Sequence, residues 1–276
     1  MLKILESSYF IKLIFSYVDE KHKLELIKYN KKLQNSLDIS IVNYKFFLGN
    51  YIIYESKRIG KEYNGKSEKL IFSGEYLNGK RNGKGKEYSD SILKFEGEYL
   101  NGKRNGKGKE YYFNYSLKFE GEYLNGMRNG KGKEYSFGKI IFEGEYLNGK
   151  RHGKGKEFDT NYVESKKHII FEGEYCFNFR LKGKHYFEGL LEYEGEYLFD
   201  LKYNGRGYDE KGNLIYELKN GTGKVKEFYD NSKLKFVGEY LNGRRNGKGK
   251  EYDLDGKLEF EGEYLNGKRI TKCLII

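Results

Sequence analysis

The 276-residue chain has no proline, no tryptophan, two cysteines and four histidines. Cys176 and Cys273 are too few and too far apart for a disulfide framework, which fits a reducing interior and a cytoplasmic protein. His22, His152, His168 and His185 lack metal-ligand spacing and have no cysteine company, so neither a metal site nor a cofactor is expected. No stretch approaches the ~18 consecutive apolar residues of a membrane span, and Met1–Ser7 lacks the apolar core of a secretion signal. The missing proline and tryptophan, beside plentiful Lys, Asn, Ile and Tyr, read as the codon bias of an AT-rich genome. No nucleophile stands beside an evident base, and no segment is left over from which to build a pocket. A non-enzymatic protein is expected.

What the chain has in abundance is glycine, tyrosine and charge, arranged periodically. Phe95–Tyr111 reads F-E-G-E-Y-L-N-G-K-R-N-G-K-G-K-E-Y, and near copies lie at 72–88, 119–135, 142–158 and 236–252, with a shortened one from Phe260. The glycine of each Gly-Glu-Tyr triplet falls at positions 74, 97, 121, 144, 173, 195, 238 and 262. The wide gap from 195 to 238 hides an eroded copy that keeps Tyr216-Glu217, Asn220-Gly221-Thr222-Gly223 and Glu227-Phe228. An array of about nine units follows, and a fixed period in this range means repeat architecture.

Within a unit, Phe95, Gly97 and Tyr99 point to one face of a strand and Glu96, Glu98 and Leu100 to the other. Asn101-Gly102 and Asn105-Gly106 both tolerate positive φ, the chemistry of a hairpin turn, and Gly106–Tyr111 is the return strand. With Gly102–Asn105 as the loop, Leu100 faces Lys107, Tyr99 lies over Gly108, and Glu98 pairs with Lys109. A lone hairpin is marginal in water. Stability therefore comes from each copy packing its Phe and Tyr on the next, nearest neighbour by nearest neighbour. The glutamates recur in every good unit, which makes them cross-strand partners of lysines and not catalytic carboxylates. Gly74-x-x-x-x-Gly79-Lys80 imitates a phosphate loop but continues with Arg81 between two strands, so that reading is rejected.

The aromatic-x-Gly-Glu-aromatic strand, Asn-Gly turn and Gly-x-Gly second strand resemble the MORN repeat family, over about four-fifths of the chain. The resemblance implies a mainly β fold: an elongated, single-layer antiparallel β-hairpin repeat array over residues 49–276, with a small helical segment at residues 1–48. Two kinds of surface follow. Tyr76, Tyr99, Tyr123, Tyr146, Tyr240 and Tyr264 form an aromatic ladder, and open strand edges beside it recruit a protein partner or a second copy of the chain. Lys80, Arg81, Lys103, Arg104, Arg128, Lys150, Arg151, Arg244 and Arg245 form a periodic basic strip suited to anionic lipid at a membrane surface. Members of the family it resembles include junctophilins and phosphoinositide kinases, proteins found near membranes. The bland alternative is that lysines in the turns keep an edge-rich β protein from aggregating. Protein interaction ranks first, lipid second and nucleic acid last, because the net charge of +11 is spread among alternating acids.

Three local features remain. Phe10, Leu13, Ile14, Tyr17 and Val18 recur at helical spacing, as do Leu24, Ile27 and Leu33, with Asp19 and Asp38 as N-caps. The run from Ile11 to Asp19, with Leu24 to Ile27 and Asn30 to Leu33, resembles an F-box; the resemblance implies docking to a Skp1-type adaptor, although Leu5-Glu6-Ser7 stands where that family has Leu-Pro. A helical cap on the open end of the array explains the same residues. Cys273-Leu-Ile-Ile spells a prenylation box, but Ile270–Ile276 also fits the second strand of the last unit. Copies five and six replace Leu-Asn-Gly by Cys176-Phe177-Asn178 and Leu198-Phe199-Asp200, with an insertion at Asp159–Lys167 before them. Such irregularity marks either relaxed selection or a bend with a job, and relaxed selection is the simpler reading.

Overall fold

A computed structural model describes residues 8–27, 30–39, 49–160, 168–229 and 233–270. Among the described residues strands dominate and helices are few, a mainly β protein built from antiparallel hairpins with small N-terminal helices. The prenylation box at Cys273, the strand expected over Ile270–Ile276 beyond its first residue, most of the 159–167 insertion, and the junction at residue 48 lie outside the described residues.

The chain divides into two units, Met1–Leu117 and Lys118–Ile276. In the first, helices α1 (Ser8–Ser16), α2 (Glu20–Ile27) and α3 (Lys31–Ser36) precede the strands. Asp19 caps α2 as expected, its carboxylate accepting the His22 N–H at 3.1 Å. Asp38 follows α3 with left-handed backbone (φ 57°) and pairs with Lys12, and the segment it was expected to cap lies outside the described residues. Asn30 caps α3 by accepting the Leu33 N–H.

The strands of this unit are β1 (Asn50–Tyr54), β2 (Ile59–Asn64), β3 (Leu70–Leu77), β4 (Lys80–Ser89), β5 (Ile92–Leu100) and β6 (Lys103–Tyr111). In the second unit follow β7 (Leu117–Leu124), β8 (Met127–Ser136), β9 (Lys139–Leu147), β10 (Lys150–Phe158), β11 (Ile169–Cys176), β12 (Phe179–Phe187), β13 (Leu190–Leu198), β14 (Leu201–Tyr208) and β15 (Leu214–Leu218). A separate sheet holds β16 (Gly223–Phe228), β17 (Leu234–Leu241), β18 (Arg244–Tyr252), β19 (Leu258–Leu265) and β20 (Lys268–Arg269). Within each sheet, neighbours in space are neighbours in sequence.

The register differs from the expected one. The hairpin loop is the two-residue Asn101-Gly102, with both φ angles positive (51° and 87°), and Leu100 pairs with Lys103 and Tyr99 with Arg104. This is the twist-matched two-residue turn that Asn-Gly favours, and Asn-Gly at 78–79, 125–126, 148–149, 242–243 and 266–267 repeats it. The second Asn-Gly is a bulge: Gly106 has φ 89°, and register shifts between Gly97 and Tyr99. Glu98 does not pair with Lys109, which faces Glu96; its carboxylate instead accepts the Lys107 N–H freed by the bulge. Glu75, Glu122, Glu145 and Glu239 do the same for Lys84, Lys131, Lys154 and Lys248.

Glycine decides the packing at one place in each hairpin. Gly144 and Gly155 face each other across β9 and β10, and the Phe142 ring lies over Gly155, where a Cβ would fall 2.5 Å from Cζ. The ring over the Gly-x-Gly strand is thus the phenylalanine, not the tyrosine. Tyrosine faces the bulge glycine of the preceding hairpin instead, Tyr99 opposite Gly83 and Tyr146 opposite Gly130.

Candidate interaction surface

Each copy holds a Phe, a Tyr, an Arg and a Glu that close into one cluster with the preceding copy. Phe142 meets Tyr146 of its own hairpin and Tyr175 of the next edge-on, at 5.7 and 5.2 Å. The same step joins Phe72 to Tyr99, Phe119 to Tyr146, Phe171 to Tyr197 and Phe236 to Tyr264. Arg151 stacks over the Phe142 ring (4.1 Å) and bridges Glu134 of the preceding copy (2.6 Å) and Glu157 of its own (3.2 Å). Arg245 bridges Glu227 and Glu251 over Phe236 in the same way, at 2.8 Å to each. Arg104 holds Glu87 and Glu110 over Phe95. The Tyr76, Tyr240 and Tyr264 hydroxyls donate to the glutamate of the preceding copy, Glu62, Glu227 and Glu251. Edge-to-face rings, a guanidinium over a π face and charge-assisted hydrogen bonds each favour this arrangement.

These contacts change the ionisation of the groups involved. Burial alone would raise the Glu251 carboxyl, but hydrogen bonds from Arg245, Arg269 and Tyr264 outweigh it and hold it at about 2. Glu87 is likewise held below its ordinary value by Arg104 against the effect of burial. Burial pushes the Tyr264 hydroxyl up to about 12, with Glu251 adding to the shift, and Tyr99, Tyr146 and Tyr240 go up for the same reasons.

The ladder expected on an open face is therefore interior. Tyr76, Tyr99, Tyr123, Tyr146 and Tyr264 are buried at 4% exposure or less, Tyr240 is half-buried, and Phe72, Phe95, Phe119, Phe142, Phe171 and Phe236 are fully covered. The basic residues divide. Arg81, Arg104, Arg128, Arg151 and Arg245 are half-buried over phenylalanine rings. Lys80, Lys103, Lys150 and Arg244 stand exposed in the turns.

What is left outside is the turn margin. Leu77, Leu100, Leu124, Leu147, Leu241 and Leu265 precede their Asn-Gly turns and are large apolar side chains left in solvent. Successive turns are tied to each other. The Asn that opens each bulge reaches to the next turn: Asn82 accepts the Asn101 N–H (3.3 Å), Asn129 that of Asn148 (3.4 Å), Asn204 that of Asn220 (2.7 Å) and Asn246 that of Asn266 (3.2 Å). Within each unit the margin carries leucines, each beside a residue that is usually cationic. Its signal in the sequence is the Leu before the first Asn-Gly of each regular copy, a residue that two-faced alternation assigns to the glutamate side.

One place breaks the pattern, in the second unit where copies five to seven are irregular. His185 replaces the cluster glutamate; the Tyr197 hydroxyl is buried without a hydrogen-bond partner, as are those of Tyr99, Tyr146 and Tyr175 in other copies. Lys202 replaces the arginine and binds Glu192 (2.7 Å) and the Tyr216 hydroxyl (3.3 Å), while His185 takes the other Glu192 oxygen (2.7 Å). Burial opposes ionisation of Glu192, yet His185 and Lys202 hold it at about 2. It stays charged and paired near neutrality. Beside it lies a cleft of about 460 Å³ walled by Phe187, Leu190, Tyr208, Tyr216 and Phe228, a hollow that the expectation of no pocket missed. The clue was the eroded copy, whose short strands β15 and β16 leave the space open. Among the described residues, no group of three or more His, Cys, Asp or Glu could hold a metal ion, and no helix is long and apolar enough to cross a membrane.

Stacked hairpins in which every cluster is completed by its neighbour define a β-hairpin repeat array. The MORN repeat family model matches this chain in five places, residues 72–91, 95–117, 119–137, 142–162 and 236–257. The hairpins β11–β12 and β13–β14 lie outside those stretches. No curated protein matches the chain. Two solved structures are similar over part of it. A TarM mutant from S. aureus in complex with Fondaparinux, alpha-GlcNAc-glycerol and UDP shares 13% identity at a TM-score of 0.23, over 58% of this chain and 26% of that one. A second TarM structure shares 11% identity at 0.24, over 60% and 24%. The chain spans about a quarter of the length of these structures, and similarity at that level carries no argument about activity.

Proposed function

We propose that the protein is a non-enzymatic interaction scaffold, with about nine MORN-type hairpins presenting their turn margins to a protein partner. The observation that carries this reading is the division of labour within each copy. Rings, arginines and their glutamates are consumed in joining one hairpin to the next, while the leucine before each turn gains nothing for the fold by standing in solvent. MORN repeats typically serve as protein or lipid interaction modules, which agrees. Affinity capture from cells that express the protein tests it, comparing wild type with L77S/L100S/L124S/L147S. The expected result is a discrete set of partners lost from the variant. Partners retained in full remove the margin from the proposal, and no partner above background removes the scaffold. Flotation with phosphatidylserine vesicles decides for lipid if the leucine-dependent binding is to membrane alone.

A second reading concerns the helices. Leu13 and Ile14 on α1 and Tyr17 just after it form an exposed apolar stripe at helical spacing, with Tyr17 86% exposed. That stripe favours the F-box-like reading, in which the segment docks a Skp1-type adaptor. Pull-down of the adaptor by the full chain, lost in I14A/Y17A, supports it; no enrichment by either chain ends it.

A further inference from the structure

Copies five and six depart from the others in a coupled way. Elsewhere the bulge Asn binds the backbone of the next turn, whose first residue is also Asn. Where His152 takes the place of that clip, the next turn begins with Phe177; where Leu181 takes it, the next turn begins with Phe199. Both phenylalanines sit in the left-handed region (φ 49° and 50°), which asparagine adopts readily and a bulky side chain does not. Packing recovers part of that strain, because Phe177 lies against His152 (5.1 Å) and Phe199 meets Phe179 edge-on (5.6 Å). Yet Phe177 remains 45% exposed and Phe199 71%. In these two turns the link runs the other way, Asn178 and Asp200 accepting the Arg151 and Arg180 N–H (2.9 and 2.8 Å), and the left-handed first position is given to a solvent-facing phenylalanine.

Resting on the scaffold reading, we propose that Phe177, Phe179, Leu198 and Phe199 are the anchor of its docking margin, and that the occupant is an amphipathic helix with flanking acidic residues. Three observations select this partner. The apolar margin runs through four consecutive turns of the second unit, from Leu124 past Leu147 to Phe199. Successive turns are two strand spacings apart, about 9.6 Å, close to the roughly 10.5 Å by which a helix advances in one heptad. A helix with one apolar residue per heptad therefore meets one turn with each. The rim of the anchor is basic: Lys150 stands beside the Phe177 ring (5.8 Å), and the turn bearing exposed Arg244 packs against Leu201 through Gly243. The acid in these turns, Asp200, is engaged in accepting the Arg180 N–H (2.8 Å).

The test uses the full chain and a variant that rebuilds the clip of the other copies, H152N/F177N/L181N/F199N. Asparagine at the two left-handed positions removes strain, so the variant is expected to melt no lower than wild type, which separates lost binding from lost folding. The probes are a fluorescent three-heptad helical peptide with leucine at one position per heptad and glutamate beside it, the same peptide with lysine for glutamate, and phosphatidylserine vesicles. The proposal expects the acidic peptide to bind wild type at least tenfold more tightly than the clip-restored variant, and more tightly than the basic peptide binds. Equal binding to both proteins, or none to wild type, overturns it. Phenylalanine-dependent binding to vesicles without binding to the peptide also overturns it and assigns the anchor to a membrane. If cellular partners still depend on the leucines but not on the phenylalanines, this inference falls and the scaffold reading stands.

Discussion

Replacing Arg151 by methionine tests the joint between two hairpins at its centre. The guanidinium sits between Glu134 at 2.6 Å and Glu157 at 3.2 Å, with about one-fifth of each side chain exposed. Methionine keeps an apolar stem over Phe142 but leaves two carboxylates facing each other. Removing one partner of a fully buried ion pair costs about 3–5 kcal/mol. Partial exposure screens that value, and we expect a loss of about 2–3 kcal/mol, the scale of one to two charge-assisted hydrogen bonds. Native-state hydrogen exchange reads it as a fall in the opening free energy of amides in β9–β11. Amides in β17–β19 should hold within about 0.3 kcal/mol, because interface terms in a linear array are local. Adding E134Q/E157Q removes the repulsion and should restore about half of the loss. A deficit under about 0.5 kcal/mol, or one that the double glutamine leaves unchanged, refutes the argument that these charges join the copies.

Three further outcomes follow from the same geometry. Gly144→Ala places a Cβ 2.6 Å from the Lys154 carbonyl oxygen and should cost about 1–3 kcal/mol by overpacking; Gly149→Ala meets open space and should cost about 1 kcal/mol, for its left-handed backbone alone; equal melting points would contradict the stacking. The Glu251 carboxyl is lowered on folding from 4.5 to about 2. Its contribution is present above pH 4.5 and lost as pH falls toward 2, on the order of 3 kcal/mol at full effect, and E251Q should flatten that part of an acid denaturation curve. Tyr264 is raised from 10 to about 12, so its contribution is complete below pH 10 and lost as pH rises to 12; Y264F should remove one late-titrating tyrosinate from the ultraviolet absorbance titration.

Much of the architecture was legible because its signals are local. Asn-Gly demands a two-residue turn, and Phe-x-Gly-x-Tyr demands a strand with one ringed face. What sequence could not rank was two Asn-Gly pairs four residues apart. Their roles are set by Glu98, whose carboxylate completes the bulge at the second pair and leaves the first as the loop. The interior position of the rings was missed for a related reason. Arg104 and Glu87 are 17 residues apart and meet only between copies, so Phe95 looks open until the arginine is laid over it. The docking anchor was visible in outline, since aligning the copies shows His152 with Phe177 and Leu181 with Phe199. Reading the turns alone, without the clip that links them, makes the same letters look like relaxed selection.

Hydroxyl-radical footprinting of the full chain measures most directly whether rings are spent inside while the turn margin faces solvent. The account predicts that Tyr76, Tyr99, Tyr146 and Tyr264 resist oxidation while Leu100, Leu265, Phe177 and Phe199 are modified readily. Comparable modification of the buried tyrosines and the margin residues would contradict it.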